Sequence, residues 1–352
     1  MELALYHPEW GYYAREPSQI GRSGDFFTSV SVGSLFGYLL ALRAVAWWED
    51  AGKPLCWRWL EVGAHNGTLA ADVLDALFLL SPDAARGVRY TVVEPLPASR
   101  RAQRETLARF GDAVAIFSCA GEIPGPPLPS FFVANEVLDA LPVHVVRREN
   151  GVWCERRVAL DSSGTFVWTS AVIVPGPLAD AVAQLPGGLP DGYQTEVRTG
   201  LREFLAPYLR VMERGRMLWI DYGFAADDYY IPGRGEGTLR TFRDHRAGDC
   251  PLSAPGEEDI TAHVDFTAFA KDAMTLRAVP ARFDSQGMWL IRAAEPWLRA
   301  MEGVADPVLA RQFQMLTHPA HLGAKFHILE LAWREAADPA AAQTALGRLG
   351  IS

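Results

Sequence analysis

A chain of 352 residues, 49% hydrophobic and 21% charged, can bury a large core as one big domain or two ordinary ones. A net charge of −9 without any basic tract argues against nucleic acid as a partner and suits a basic protein segment better. Cys56, Cys119, Cys154 and Cys250 form no C-x-x-C pair, so no disulfide framework or metal site is expected. With neither a signal-peptide pattern nor an apolar run long enough for a bilayer, a cytoplasmic protein without membrane contact is expected.

The first 32 residues are rich in aromatics and glycine but have no clean period, as in Tyr6-His7-Pro8-Glu9-Trp10-Gly11-Tyr12-Tyr13. They read as an irregular arm, either packed on the surface or covering a ligand, with Asp25 and Thr28 offering polar contacts. Residues 33–352 then read as a single α/β domain. Leu35, Phe36, Leu39, Leu40, Val45 and Trp48 give an amphipathic helix over 33–50, stopped by Gly52-Lys53-Pro54. The tryptophans clustered near it, Trp47, Trp48, Trp57 and Trp59, read as core.

The stretch from Trp57 to Leu80 predicts a strand, a glycine-bearing turn (Gly63 to Gly67) and a helix from Thr68. That is the opening unit of a nucleotide-binding α/β fold, in which glycines admit a close ligand and the helix start offers free N–H groups. Glu61 ends the strand. A carboxylate there suits a ligand carrying a cationic ammonium, such as S-adenosylmethionine, better than a pyrophosphate. His65 stands where a second glycine would be expected, so the turn by itself is a weak signal.

A second strand, 89–94, ends in Glu94, where a ribose-binding acid belongs; a helix over 98–110 and a strand over 113–117 continue the alternation. The buried strand Phe131–Asn135 ends abruptly in Asn135-Glu136, with Asp139 three residues on. Two carboxylates and an amide at a strand's carboxyl end are costly to bury without a partner, and a guanidinium would fit them bidentately. The competing reading makes Asn135 or Asp139 the cap of a following helix.

Alternating strands near 143–174 read as an inserted β-meander, giving an insertion over about 143–195. A helix over 201–212 ended by Gly215, then a buried strand ending in Asp221-Tyr222-Gly223, follow. A second insertion, about 224–264, shows no periodicity over 224–258 and reads as a long functional loop; it holds Gly237-Thr238-Leu239-Arg240 and His245. A helix to Asp272, a strand over 276–281 and helices over 285–292 and 297–310 complete the domain.

Several stretches together resemble the MidA-like methyltransferases, which include the mitochondrial complex I assembly-factor arginine methyltransferase. They are Leu5–Tyr13, Gly24-Asp25-Phe26-Phe27-Thr28-Ser29, Glu61-Val62-Gly63 with Gly67-Thr68-Leu69, and Val93-Glu94. Asn135-Glu136-Val137-Leu138-Asp139-Ala140-Leu141-Pro142, Asp221-Tyr222-Gly223 and Asp259-Ile260-Thr261-Ala262-His263-Val264-Asp265-Phe266 follow in order. The resemblance covers almost the whole chain and departs at His65. It implies a class I S-adenosylmethionine-dependent, Rossmann-like fold: a seven-stranded, mostly parallel sheet with inserted substrate-side β and loop segments. By the same resemblance, Gly63 and Gly67 lie near the methionine part of the cofactor, Glu94 holds the ribose, and Glu61 and Thr68 belong to the cofactor-binding set. Gly24, Asp25, Phe26, Thr28, Asn135 and Glu136 then complete the pocket.

The expected activity is methyl transfer from S-adenosyl-L-methionine to a nitrogen of a protein arginine, with Glu136, Asp139 and Asp221 catalytic and Tyr222, His245 and His263 facing the acceptor. A protein or peptide acceptor and a homodimer are the expected partners. The rivals are a nicotinamide-dependent oxidoreductase, disfavoured by Glu61, a methyltransferase for a small-molecule or peptide acceptor, and a non-catalytic assembly protein retaining the fold.

Overall fold

Seven strands form the central sheet of the computed structural model, which describes residues 1–14, 28–243, 246–301 and 306–351. In chain order they are β1 Trp57–Val62, β2 Val88–Val93, β3 Val114–Phe117, β4 Leu128–Asn135, β5 Met212–Phe224, β6 Ala278–Ser285 and β7 Phe326–Trp333. Their spatial order is β3-β2-β1-β4-β5-β7-β6, and only β7 runs antiparallel to its neighbours. The short strand Val264–Asp265 adds a parallel pairing to the end of β5. Chain order reverses between β1 and β4, so a ligand crevice opens at their carboxyl ends.

β1 is buried at all six positions, as a central parallel strand covered on both faces must be. Alternate residues divide between two cores. Trp57, Trp59, Tyr90, Phe131 and Ile220 pack under helices α1 (Leu35–Asp50) and α2 (Thr68–Leu80). Leu60, Phe132, Met217, Trp219 and Leu329 pack against α4 (Leu201–Val211) and α5 (Phe266–Thr275) on the other face. Helix α3 (Pro97–Leu107) follows β2 with proline at its start, where the missing N–H costs nothing. The clustered tryptophans are core: Trp59 stacks on Tyr90 with ring centroids 5.7 Å apart, and Trp47 lies 5.8 Å from Trp57.

Several expectations change. The arm contains short helices, Glu2–Tyr6 and Ser29–Val32, the second closed by a capping box between Thr28 and Ser31. No helix follows Asn135; the chain turns and enters the strand His144–Glu149, so neither Asn135 nor Asp139 is a cap. That strand and those at Val152–Leu160, Phe166–Val172 and Gln194–Val197 form an antiparallel four-stranded sheet.

Helix α4 ends because Met212 enters β5, not because of Gly215. Gly215 is required for close approach instead, since a Cβ there would lie 1.7 Å from the Ser130 carbonyl oxygen. The expected loop over 224–258 is ordered by a three-stranded sheet of Arg240–Arg243, Arg246–Gly248 and Asp259–Thr261. Arg240–Arg243 pairs locally with Arg246–Gly248 and, from 17 to 21 residues further on, with Asp259–Thr261; strands of three or four residues are too short to show a period. The single helix expected over 297–310 is two, Glu295–Ala300 and Pro307–Thr317. Pro307 can start a helix but not continue one, and the Asp306 carboxylate caps the second.

Candidate functional site

A cavity of about 1380 Å³ opens over the carboxyl ends of β1, β2, β4 and β5. Glu61, Gly63, Thr68, Glu94, Asn135, Glu136, Asp139, Tyr222 and His263 all line it, and Thr28 closes one side. Gly67 does not reach it. It caps α2 in the left-handed conformation, φ 84°, and supports the turn from behind. Gly24, Asp25, Phe26 and His245 lie outside the described residues.

One half of the cavity is the β1–β2 half. Gly63 has φ 69°, and a Cβ there would press to 2.9 Å on a Val137 methyl, so glycine is needed both for conformation and for space. His65 adopts φ 47°, the same left-handed region, and the backbone accommodates its side chain there without closing the cavity. The His65 carbonyl accepts the Gln103 side-chain N–H at 2.9 Å, and Gln103 also donates to Glu94 Oε2 at 3.3 Å. Glu94 further accepts the Leu96 N–H at 3.0 Å. Burial pushes its carboxyl up to about 7, moderated by these donors. Burial likewise raises Glu61 to about 7, although the Tyr90 hydroxyl donates to its Oε2 and pulls the other way.

The other half is the turn after β4. Glu136 has φ 55° and its N–H donates to the Ile220 carbonyl at 2.8 Å, so the turn is tied to β5. The Asn135 amide donates to Glu136 Oε1 at 2.9 Å, while its own Oδ1 is buried without a partner. Burial, then Asp139, then Asp259 raise the Glu136 carboxyl to about 8. Asp139 is held up at about 6 by burial, against the pull of Arg198.

Asp221, expected among the catalytic groups, sits beneath the turn and does not line the cavity. Its Oδ2 accepts the N–H groups of Val137, Leu138 and Asp139 at 3.1, 2.8 and 3.2 Å, and its Oδ1 accepts that of Tyr222 at 2.8 Å. A carboxylate so committed to backbone positions the turn. Tyr222 lines the cavity against Phe326, with centroids 4.0 Å apart. His263 also lines it. Burial and then Arg234, Arg240 and Arg198 push its imidazole down to about 4, so it is neutral at physiological pH and does not repel a cation.

Residue-by-residue reading missed four contributors. Tyr6 and Tyr13, from the arm, line the cavity beside the β4 turn, their hydroxyls donating to the Ala140 carbonyl at 2.9 Å and to Asp259 Oδ1 at 2.8 Å. Arg198 donates to the carbonyls of Asp139, Ala262 and His263, joining the turn to the loop before α5. Tyr6, Tyr13 and Asp259 stood inside blocks carrying the family resemblance, a signal that could have found them; Arg198 had none.

The comparisons with known proteins agree with this architecture. The Methyltransf_28 family model, described as S-adenosyl-L-methionine-dependent methyltransferase, matches residues 39–281. The chain is 30% identical to the Drosophila melanogaster mitochondrial protein arginine methyltransferase NDUFAF7 homolog, covering 94% of this chain and 80% of that one. It is 26% identical to the Danio rerio mitochondrial protein arginine methyltransferase NDUFAF7, covering 94% and 82%. Among solved structures, a Burkholderia thailandensis superfamily member bound to S-adenosyl-homocysteine superposes with a TM-score of 0.82 at 31% identity, covering 96% of this chain and 87% of that one.

The residues present fit that cofactor. A buried acid at the end of β2 can accept ribose hydroxyls, Glu61 offers a counter-charge to an amino group, and the unpartnered Asn135 Oδ1 is an acceptor awaiting a donor. Gly63 supplies the backbone clearance a close ligand needs. The chain therefore belongs to the MidA-like family of S-adenosyl-L-methionine-dependent methyltransferases, and S-adenosyl-L-methionine is its methyl donor.

Proposed function

We propose that the methyl acceptor is a guanidinium nitrogen of an arginine in a protein or peptide. The observation that carries this reading is the turn after β4, which presents Glu136 and Asp139 to the cavity, neither salt-bridged among the described residues. An arginine side chain offers planar N–H pairs that match carboxylates. The names of the curated relatives, printed as protein arginine methyltransferases, support it further.

The bound cofactor supplies a methyl on a cationic sulfur, open to in-line displacement. The chain's own residues supply alignment and charge. Glu136 and Asp139 orient the guanidinium; as the nitrogen–carbon bond forms and the sulfur–carbon bond breaks, one N–H proton must leave, and Glu136 is placed to take it. An incoming cation favours the charged form of Glu136, converting a carboxyl that burial holds at about 8 into a base when acceptor arrives. The imidazole of His263, kept neutral by burial and by nearby arginines, and the aromatic Tyr222 add no positive charge of their own to that end.

A reducing compartment, cytoplasmic in this reading, is supported by four free cysteines, three of them exposed. No helix among the described residues is long and apolar enough to cross a membrane.

Radiolabelled methyl transfer to arginine-centred peptides, with lysine-centred peptides as control, tests the acceptor. Glu136→Gln should abolish transfer while S-adenosyl-homocysteine still binds. Turnover near the wild-type rate in that variant would remove Glu136 from the mechanism.

A further inference from the structure

The acceptor end holds a third carboxylate that the reaction scheme above leaves unused. Asp259 comes from the strand Asp259–Thr261, more than a hundred residues beyond the β4 turn, yet lines the same cavity and is 1% exposed. Its Oδ1 accepts the Tyr13 hydroxyl at 2.8 Å. Its charge is felt at Glu136, Tyr6 and Tyr13, where it favours the protonated forms. Carboxylates gathered in a low-dielectric cavity repel one another and are tolerated where a cation joins them.

A second observation points to a ligand. Asp139 is 6% exposed and lines the cavity, and its Oδ1 has no hydrogen-bond partner. A buried acceptor without a donor is costly, and a bound N–H group would satisfy it. Arg198, the nearby internal guanidinium, directs its two terminal nitrogens to the carbonyls of Asp139, Ala262 and His263 and leaves that oxygen unmet. The walls beside these carboxylates are the Tyr6 and Tyr13 rings, centroids 5.5 Å apart and inclined at 32°.

Building on the arginine reading, we propose that Asp259, held by Tyr13 of the N-terminal arm, is a third acceptor-binding carboxylate. Glu136 and Asp139 from the β4 turn and Asp259 from a second chain segment then approach one planar cation, with tyrosine rings alongside. That arrangement favours a guanidinium, which spreads five N–H donors in a plane and gives up its hydration readily. An ammonium is compact and strongly hydrated. The arm is thus part of acceptor recognition.

The test is calorimetric titration of the full chain, saturated with S-adenosyl-homocysteine, with ethylguanidinium and with ethylammonium. The wild type should bind ethylguanidinium more tightly, and Asp259→Asn should weaken that binding about tenfold or more while S-adenosyl-homocysteine affinity stays unchanged. Equal ethylguanidinium binding by wild type and Asp259→Asn overturns the role of Asp259 and leaves the arginine reading standing. Failure of the wild type to prefer ethylguanidinium overturns both. If Asp259→Asn also loses S-adenosyl-homocysteine, Tyr13→Phe decides. With Asp259 no longer held by the phenol, ethylguanidinium should bind a few fold more weakly while S-adenosyl-homocysteine affinity stays unchanged, and unchanged or tighter ethylguanidinium binding would refute the proposal.

Discussion

The Asp221 carboxylate holds the backbone N–H of Asp139 at 3.2 Å from Oδ2, and the same oxygen takes the N–H groups of Val137 and Leu138. A buried acid on β5 thereby sets the course of the turn that follows β4 and, with it, the direction in which Glu136 and Asp139 face. Removing it in Asp221→Ala strips buried donors of their acceptor. We expect a loss of roughly 3 kcal/mol in unfolding free energy, read from urea titration, and slower methyl transfer in the protein that remains folded. A loss below about 0.5 kcal/mol would mean the turn holds itself.

Glu94 offers a cleaner separation of binding from stability. Its carboxyl is buried and raised, so replacing it by the isosteric amide removes a group that folding already finds costly. Glu94→Gln should change stability by no more than about 1 kcal/mol, relief of the buried carboxyl offsetting the lost acceptor for the Leu96 or Gln103 N–H. It should weaken S-adenosyl-homocysteine by about tenfold, because an amide has one acceptor oxygen for two hydroxyls. Wild-type affinity in this variant would place the ribose elsewhere.

The cofactor turn makes opposite forecasts for two left-handed residues. Gly63→Ala adds a Cβ 2.9 Å from a Val137 methyl at φ 69°, and cofactor affinity should fall. His65→Gly relieves a left-handed penalty of about 1–2 kcal/mol and adds chain freedom that costs roughly 0.5–1 kcal/mol. Its stability should therefore change by no more than about 1 kcal/mol, with S-adenosyl-homocysteine still bound. Loss of that binding would show that the imidazole contributes to the cofactor site.

Stability should fall as pH rises from 6.5 to about 9. Glu61 and Glu94 stand at about 7 and Glu136 at about 8 in the folded chain, all above the ordinary value of 4.5. The folded state therefore holds these protons more tightly than the unfolded one. The resulting stability is complete below the unfolded pKa and is lost as pH passes through the folded values. The Met1 ammonium, lowered by burial, works the other way, one group against three. Below this window His263, at about 4, and His327, also lowered, oppose the three carboxyls, since both must shed a proton to fold, and make the slope shallower. Urea midpoints measured without ligand across pH 6.5 to 9 check the sign; a flat or rising profile would contradict it.

The elements that carry the cofactor half were legible because their signals are local. Trp57–Val62 is apolar throughout because a central parallel strand is covered on both faces, and the chain must then break at a residue free to adopt positive φ, which is Gly63. Glu61, Glu94 and Asn135-Glu136 announce themselves because polar groups at the carboxyl end of an apolar run have nowhere to go except a crevice. Pro307 and the three-stranded sheet within 224–264 were misread, the first because proline both ends and starts helices, the second because its strands of three or four residues are too short to show a period.

What the amino-acid sequence determined by itself is the alternation of strand and helix, the acids at the strand ends and the family blocks in order along the chain. The tertiary structure alone decided which acids face the cavity and which supports the turn that carries them. Asp221 reads like Glu136 in sequence, but its Oδ2 is consumed by backbone donors 82 to 84 residues away and its Oδ1 by the neighbouring Tyr222 N–H. Asp259 reads like an ordinary strand residue until Tyr13, 246 positions earlier, reaches it. The reason is physical: a carboxylate's role depends on which donors surround it once buried, and here those donors come from chain segments that only the fold brings together.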